Sequence, residues 1–177
     1  MKQPSLYIFS GLPGSGKSTL AKQLARHYQA AYMRIDTIEQ GIRDLCNFNV
    51  QGEGYRLAYR IAYDNLKQGI SVVSDSCNPI ELTRKEWIGV AIEAGAFFVN
   101  IEVVCSNIEE HRRRVETRSS EINNLQLPTW QNVIDREYHE WDMDRIVIDT
   151  FNLNEKCAFN HLLESLSIIE KQNLTTY

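Results

Sequence analysis

The stretch GLPGSGKST, residues 11–19, has the residue types and spacing of a phosphate-binding loop. It satisfies the pattern GxxxxGK[ST], in which glycines let backbone N–H groups turn inward around an anion. Lys17 is then placed to reach the β- and γ-phosphates of a nucleotide, the Ser18 hydroxyl to bind Mg²⁺, and Thr19 to face the α-phosphate. The stretch therefore predicts a site for ATP with Mg²⁺. Its predicted members are Gly11, Leu12, Pro13, Gly14, Ser15, Gly16, Lys17, Ser18 and Thr19.

A carboxylate that follows the apolar run AAYMRI, residues 30–35, is the first candidate for acid–base chemistry. Asp36 there can accept a proton from an attacking hydroxyl while the loop holds the γ-phosphoryl in line. Asp36, or Thr37 beside it, is also a good helix N-cap. The sequence leaves the two roles open, and one residue can fill both. Arg34 and Arg43 are weaker candidates for holding an acidic substrate.

A second carboxylate ends another apolar run, in VVSDSCNP at residues 72–79. Asp75 stands where an acidic residue often positions Mg²⁺, directly or through water. Its alternative role is to cap the helix predicted from about Ile80, although Asn78, just before Pro79, is the more natural cap.

Basic residues concentrate in HRRRVETR, residues 111–118, on a helix for which Asn107 is the expected cap. Arg114 and Arg118 are four residues apart, share a helical face and are candidates to reach one triphosphate. We interpret residues 107–128 as an arginine-bearing lid that offsets phosphate charge and excludes water. The alternative is a solvated basic face balanced by neighbouring glutamates.

Strand-like and helix-like runs alternate along the chain and must position these residues. We predict strands at 5–10, 30–35, 70–75, 97–105 and 145–149. We predict helices from Lys17, from Asp36 to about Leu45, and at 54–69, 80–94, 129–140 and 155–171, with 119–128 irregular. On the helix at 54–69, Leu57, Ile61, Ala62 and Leu66 are expected on the buried face.

This alternation indicates an α/β protein with the three-layer P-loop NTPase fold. Its five-stranded, mainly parallel sheet would carry helices on both faces and bind ligands beyond the carboxyl ends of the strands. The acceptor pocket is expected within residues 37–68 and 119–140, where no motif names the acceptor.

Composition sets the broad limits. The 177 residues, 43% hydrophobic and 24% charged, suit a single domain over residues 1–177. A net charge of −4 disfavours nucleic acid as the main partner without excluding it. The four cysteines show no CxxC spacing, and the N-terminus resembles neither a signal peptide nor a spanning helix, so we expect a cytoplasmic protein with no membrane partner. The oligomeric state stays open.

Taken together, GLPGSGKST, MRIDTIEQGIR, VVSDSCNP, HRRRVETR and RIVIDT resemble the small P-loop kinases of the AAA-like group, which contains phage-type polynucleotide 5′-kinases. Zeta-toxin, chloramphenicol phosphotransferase and gluconate kinase are more distant relatives in that group. The resemblance runs from about Leu6 to Thr150. It implies that Asp36 is the general base, that Arg114 and Arg118 are lid arginines, and that Asp75 is the acidic residue of the D-[ST]-x-N segment.

One residue departs from the polynucleotide kinases of this group, which carry Arg three positions after the base where this chain has Glu39. We therefore expect transfer of the γ-phosphoryl of ATP to a hydroxyl of a small-molecule acceptor, catalysed by Lys17, Asp36, Arg114 and Arg118. A polynucleotide 5′-hydroxyl or nucleotide kinase is the alternative within the enzyme class. An ATP-hydrolysing switch that acts through a partner is the alternative outside it.

Overall fold

The computed structural model describes residues 3–174, in which five strands form one sheet. The strands are β1 (Ser5–Ser10), β2 (Ala31–Arg34), β3 (Val72–Asp75), β4 (Phe97–Val104) and β5 (Ile146–Asp149). Their order across the sheet is β2-β3-β1-β4-β5, and each neighbouring pair is parallel. The predicted parallel sheet is confirmed, and all its carboxyl ends point to one edge.

Helices connect the strands and cover both faces of the sheet. They are α1 (Lys17–Tyr28), α2 (Ile35–Cys46), α3 (Glu53–Lys67), α4 (Glu81–Ala94), α5 (Ile108–Thr117), α6 (Trp130–Ile134) and α7 (Glu155–Leu174). None of the helices in the described part of the chain has the length and apolar character that a membrane span requires.

Two hydrophobic cores lie on opposite faces of the sheet, because side chains alternate along each strand. On β1, Leu6 and Ile8 point into the core shared with α3 and α4, where Trp87 is fully buried. Tyr7 and Phe9 point into the other core, which is shared with α1 and α7. The three-layer arrangement is therefore confirmed, and β1 is anchored on both faces directly before the phosphate loop.

The buried face of α3 agrees with the predicted one at Ala62 and Leu66 and differs from it elsewhere. Its buried residues are Gly54, Ala58, Ala62 and Leu66. Leu57 and Ile61, which were expected inside, are 41% and 38% exposed. Small residues at four-residue spacing let α3 pack closely, and at Gly54 a Cβ atom would lie 2.3 Å from Cγ of Glu39 on α2. The face of α3 that is buried is therefore the one with small residues that allow close packing, and not the one that carries the larger apolar side chains Leu57 and Ile61.

Two predicted caps are also wrong. The N-cap of α2 is Arg34, so Asp36 and Thr37 lie within the first turn and Asp36 is left free for other chemistry. The N-cap of α4 is Ile80 rather than Asn78, whose amide instead donates to the Phe9 carbonyl at 2.8 Å. Asn78 thereby ties the end of β3 to the end of β1.

The helix predicted over 129–140 is present only as α6 and ends at Ile134. Beyond it the chain runs across Arg84, a fully buried arginine on α4. The Arg84 guanidinium donates to the carbonyls of His139 at 2.9 Å and Glu140 at 3.1 Å, and lies 4.0 Å from the Trp141 ring centroid. Because the His139 and Glu140 carbonyls accept hydrogen bonds from Arg84, we infer that this contact favours an irregular segment over a continued helix.

Arg84 also donates to the carbonyls of Asn78 and Pro79, at 2.9 and 3.2 Å. Replacement of Arg84 by Met leaves four main-chain carbonyls without this donor, so we expect the free energy of unfolding to fall by about 3 kcal/mol or more. Urea unfolding followed by circular dichroism measures this. The matched control is Lys85→Met, which removes an exposed cation paired with Glu81 and should cost at most about 1 kcal/mol. Equal losses for the two variants would contradict the role given to Arg84.

Candidate active site

The phosphate loop connects β1 to α1 and lies against the neighbouring elements at two glycines. Gly11 has φ +137°, and a Cβ atom there would lie 2.2 Å from the Val103 carbonyl oxygen on β4. Gly14 has φ +85°, and its Cβ would lie 2.6 Å from Cγ2 of Val115 on α5. Gly11, which the sequence pattern requires, and Gly14, which it leaves open, are thus both required by close approach as well as by backbone conformation.

Substitution of Gly11 by Ala should therefore disrupt the loop. We expect a loss of at least about 2 kcal/mol in the free energy of unfolding, because the φ value is strained for alanine and the clash is with backbone. ATP binding should weaken as well, and calorimetric titration with AMPPNP measures it. Gly89→Ala is the control, since a Cβ there meets nothing within 4 Å in α4. That variant should be as stable as the parent or more so.

The loop carbonyls are held from outside by two side chains. His111 on α5 lies with Nε2 2.8 Å from the Pro13 carbonyl oxygen and, as the N–H tautomer, donates to it. Thr150, directly after β5, donates through Oγ1 to the Ser15 carbonyl at 2.8 Å. These bonds give the Pro13 and Ser15 carbonyls partners outside the loop. The N–H groups of Gly11 and Ser15 already donate to the carbonyls of Cys77 and Leu12, at 3.0 and 3.2 Å, so an anion would be bound by the other N–H groups of the loop.

A cavity of about 1300 Å³ opens at the carboxyl ends of the strands and is lined by six of the thirteen predicted site residues. Pro13, Lys17 and Ser18 line it from the loop, and Thr19 follows them in the first turn of α1. Asp36, Asp75 and Arg118 line the same cavity. Residues far apart in sequence thus share one space, as the strand-end argument requires. Their chemical roles stay predictions.

The two candidate carboxylates have different surroundings. Asp75 is buried, and its Oδ2 accepts a hydrogen bond from the Tyr32 hydroxyl at 2.6 Å. Burial raises the pKa of Tyr32, and the Asp75 charge raises it further. The Asp36 side chain is 56% exposed, with Oδ2 4.0 Å from Nη2 of Arg34. Arg34 also reaches Asp75, with Nε 3.9 Å from Oδ2, so one guanidinium lies between the two acids.

The two lid arginines do not share a helical face, contrary to the sequence prediction. The reason is that α5 ends at Thr117, and Arg118 is its C-cap in extended conformation. Arg118 lines the cavity, and burial lowers the pKa of its guanidinium. Arg114 instead donates to Thr150, through Nη1 to the hydroxyl at 2.8 Å and through Nη2 to the carbonyl at 3.2 Å. Arg114 therefore contacts the phosphate loop only through Thr150, whose hydroxyl donates to the Ser15 carbonyl.

The segment after α5 covers the cavity without regular structure. Glu121 contacts Lys22 of α1 and accepts from Nη1 of Arg34 at 3.4 Å. The Asn124 amide donates to Asp44 of α2 at 3.4 Å. Residues 125–129 then line the cavity wall. These contacts join the segment to both sides of the cavity, which agrees with its interpretation as a lid.

Several residues of the cavity escaped the sequence analysis. They are Tyr55 and Arg56 of α3, Thr83 and Glu86 of α4, and Asp135 and Arg136 beyond α6. Four of the six lie in the stretches where the acceptor pocket was expected, but Thr83 and Glu86 do not. No motif marks any of them, because tertiary packing of α3, α4 and the 125–136 segment brings them to the cavity.

The residues present suit a nucleoside triphosphate with Mg²⁺. Lys17 lines the cavity with a cation at the first residue of α1, and the N-terminus of a helix favours an anion. The Ser18 hydroxyl and the Asp75 carboxylate line the same cavity and are oxygen donors of the kind that Mg²⁺ prefers. Lys17, Ser18 and Asp75 are therefore the residues that would hold the nucleotide and its metal.

A parallel sheet in this strand order, with a phosphate loop after its central strand and helices on both faces, defines the three-layer P-loop NTPase fold. The family model described as "AAA domain", AAA_33, matches residues 6–136, and the chain belongs to this family. It is a small P-loop kinase of the AAA-like group, as the sequence resemblance implied.

Individual relatives agree with this assignment. The chain is 26% identical over 167 residues to a probable adenylyl-sulfate kinase of Bacillus subtilis, covering 90% of this chain and 83% of that protein. Its fold is similar to that of the APS kinase CysC from Mycobacterium tuberculosis, at TM-score 0.71 and 18% identity over 93% of this chain and 98% of that one. A gluconokinase from Sinorhizobium meliloti gives TM-score 0.69 at 13% identity, with full coverage of both chains.

Proposed function

We propose that the protein transfers the γ-phosphoryl group of ATP to a hydroxyl of a small-molecule acceptor. The observation that carries the proposal is that Asp36 lines the same cavity as Lys17 and Ser18. An ATP-hydrolysing switch needs no carboxylate to activate an acceptor. The Bacillus relative and the gluconokinase are by name kinases of small molecules, and this supports an acceptor of that size.

Bound ATP with Mg²⁺ supplies the activated phosphoryl group and neutralises part of its charge. The loop N–H groups and Lys17 would bind the phosphates and keep the γ-phosphoryl in the cavity that Asp36 also lines. Arg118 adds a cation that faces the same space, where it offsets charge that develops during transfer. Arg114 acts indirectly, because it holds Thr150 and Thr150 holds the loop carbonyl of Ser15.

Asp36 accepts the proton of the acceptor hydroxyl as that oxygen forms its bond to phosphorus and ADP leaves. The exposure of its carboxylate to the cavity suits this role, since a base must contact a substrate that enters from solvent. Arg34 holds a positive charge between Asp36 and Asp75, at 4.0 and 3.9 Å from their carboxylate oxygens. The lid excludes water that would compete with the acceptor.

A phosphate-transfer screen tests the proposal. The protein is incubated with ATP, Mg²⁺ and panels of nucleosides, sugars, sugar acids, antibiotics and 5′-hydroxyl oligonucleotides, and phosphorylated products are identified by mass spectrometry. We expect a phosphorylated small molecule whose formation requires Lys17 and Asp36. Phosphorylation confined to the oligonucleotides would identify a polynucleotide kinase instead. Release of inorganic phosphate with no phosphorylated acceptor would favour a switch.

A further inference from the structure

The part of the cavity away from the loop is lined by charged residues, and most of them already have partners. Glu39 accepts from Nη2 of Arg43 at 3.1 Å, and both Asp135 carboxylate oxygens accept from the Gln131 amide at 2.8 Å. Glu86 lies beside the Tyr59 hydroxyl, whose pKa is raised by burial first and then by the Glu86 charge. These carboxylates are therefore engaged within the protein.

The cations of this region are less completely paired. Arg34 is held by Asp75 and by Glu121 of the lid, and Arg43 by Glu39. Arg136 lines the cavity and is exposed. No carboxylate within residues 3–174 lies within ion-pair distance of its guanidinium, although its charge, like that of Arg43, opposes the rise that burial causes in the pKa of Glu39. An exposed guanidinium at the cavity wall that no carboxylate contacts directly is suited to an anion brought by a ligand.

Arg136 also lies close to the reacting end of the cavity. Burial raises the pKa of the Cys77 thiol, whereas the charges of Lys17 and Arg136 oppose this rise and that of Asp36 adds to it. A hydrogen bond with the Arg136 side chain also opposes the rise, so Arg136 contacts Cys77 in the wall of the cavity that Lys17 and Asp36 also line. A ligand held by Arg136 has its neighbouring atoms within reach of the proposed base and of the phosphate loop.

We infer that the acceptor carries an anionic group, a carboxylate, phosphate or sulfate, close to its reactive hydroxyl, and that Arg136 binds this group. The inference rests on the proposed function and specifies the class of its acceptor. The inference also gives this chain a different source for the positive charge that polynucleotide kinases of this group place at the position of Glu39, where they carry Arg. Glu39 is neutralised by Arg43, and the cation that faces the acceptor comes from the segment after α6 instead.

The test uses matched acceptors that differ only in charge, namely glycerate against glycerol, gluconate against glucitol, and nucleoside 5′-monophosphates against nucleosides. Transfer of labelled γ-phosphate is measured for the parent protein and for Arg136→Gln, Arg136→Lys and Arg136→Glu. Arg60→Gln is the control, because Arg60 is exposed one turn along α3 from the cavity residue Arg56 and lies outside the cavity lining.

We expect the parent to prefer the anionic member of at least one pair. Arg136→Gln should lower kcat/KM for that acceptor on the order of 10- to 100-fold, mainly through KM, with the KM for ATP unchanged. Arg136→Lys should recover part of the loss, Arg136→Glu should remove the preference for the anion, and Arg60→Gln should behave like the parent.

Two results would overturn the inference, and they are distinguishable from each other. Equal or better transfer to the neutral members, unaffected by Arg136→Gln, would leave the proposed kinase function intact and remove Arg136 from acceptor binding. Failure of the parent to phosphorylate any member, with ATP converted only to ADP and inorganic phosphate, would overturn the proposed function and this inference together.

Discussion

Replacement of Asp36 by Asn is expected to lower phosphoryl transfer by about 100-fold or more while leaving ATP binding nearly unchanged. Loss of a general base has an effect of this size, and Asn keeps the shape of the side chain without its basicity. The carboxylate is more than half exposed and lies 4.0 Å from Arg34, so little of the fold depends on it. Initial rates with labelled ATP measure the transfer, and calorimetric titration with AMPPNP measures the binding.

Asp64→Asn is the matched control for this prediction. Asp64 is an exposed aspartate on α3 outside the cavity lining, and its substitution should leave both measurements unchanged. Transfer by Asp36→Asn at the parental rate would remove Asp36 from the role of base. Equal loss of transfer and of ATP affinity would instead assign Asp36 to nucleotide binding.

Replacement of Lys17 by Ala should reduce transfer by about 1000-fold or more. Lys17 is the cation that the loop directs into the cavity, and removal of one preorganised group that stabilises developing charge costs about 100- to 1000-fold before lost nucleotide affinity is added. The ammonium forms no ion pair within residues 3–174, so the free energy of unfolding should change by less than about 1 kcal/mol. Rates at saturating ATP, together with thermal unfolding, test both statements.

The control for the lysine variant is Lys67→Ala, at the exposed end of α3. It should match the parent in transfer and in nucleotide binding. A Lys17→Ala protein that is folded and still transfers phosphate at a rate within tenfold of the parent would contradict the assignment of the triphosphate to this loop. An unfolded Lys17→Ala protein would contradict the prediction that Lys17 contributes little to the stability of the fold.

The phosphate loop was predictable because its requirements are local. Close approach at Gly11 and Gly14, the cation at Lys17 and the hydroxyl at Ser18 are all encoded within eight residues. The parallel sheet was predictable for a related reason, since alternating strands and helices allow few topologies. Because the carboxyl ends of such strands meet at one edge, Asp36 and Asp75 were expected in one place, and both line the cavity.

The acceptor side of the cavity was not predictable in the same way. The position of Arg136 depends on where α6 ends and on the 138–141 segment that buried Arg84 holds through main-chain carbonyls. A sequence pattern shows neither the burial of Arg84 nor the carbonyls it selects. The helical period over 129–140 instead predicted a continuous helix, which would place Arg136 on a different surface.

The lid arginines illustrate a further limit of periodicity. The four-residue spacing of Arg114 and Arg118 implies a shared face only while the helix continues through both. Since α5 ends between them, Arg118 turns to the cavity and Arg114 to Thr150. Their predicted roles in phosphate binding therefore differ, because Arg118 faces the cavity and Arg114 contacts Thr150.

The central claim, that the phosphoryl group leaves ATP for a hydroxyl acceptor rather than for water, is tested most directly by the stoichiometry of a single reaction. With the best acceptor from the screen, ADP and phosphorylated acceptor are quantified together by mass spectrometry, and inorganic phosphate is quantified in the same samples. We predict one phosphorylated acceptor for each ADP formed, with little inorganic phosphate, and loss of both products in Lys17→Ala. ADP and inorganic phosphate in equal amounts, with no phosphorylated acceptor, would contradict the claim.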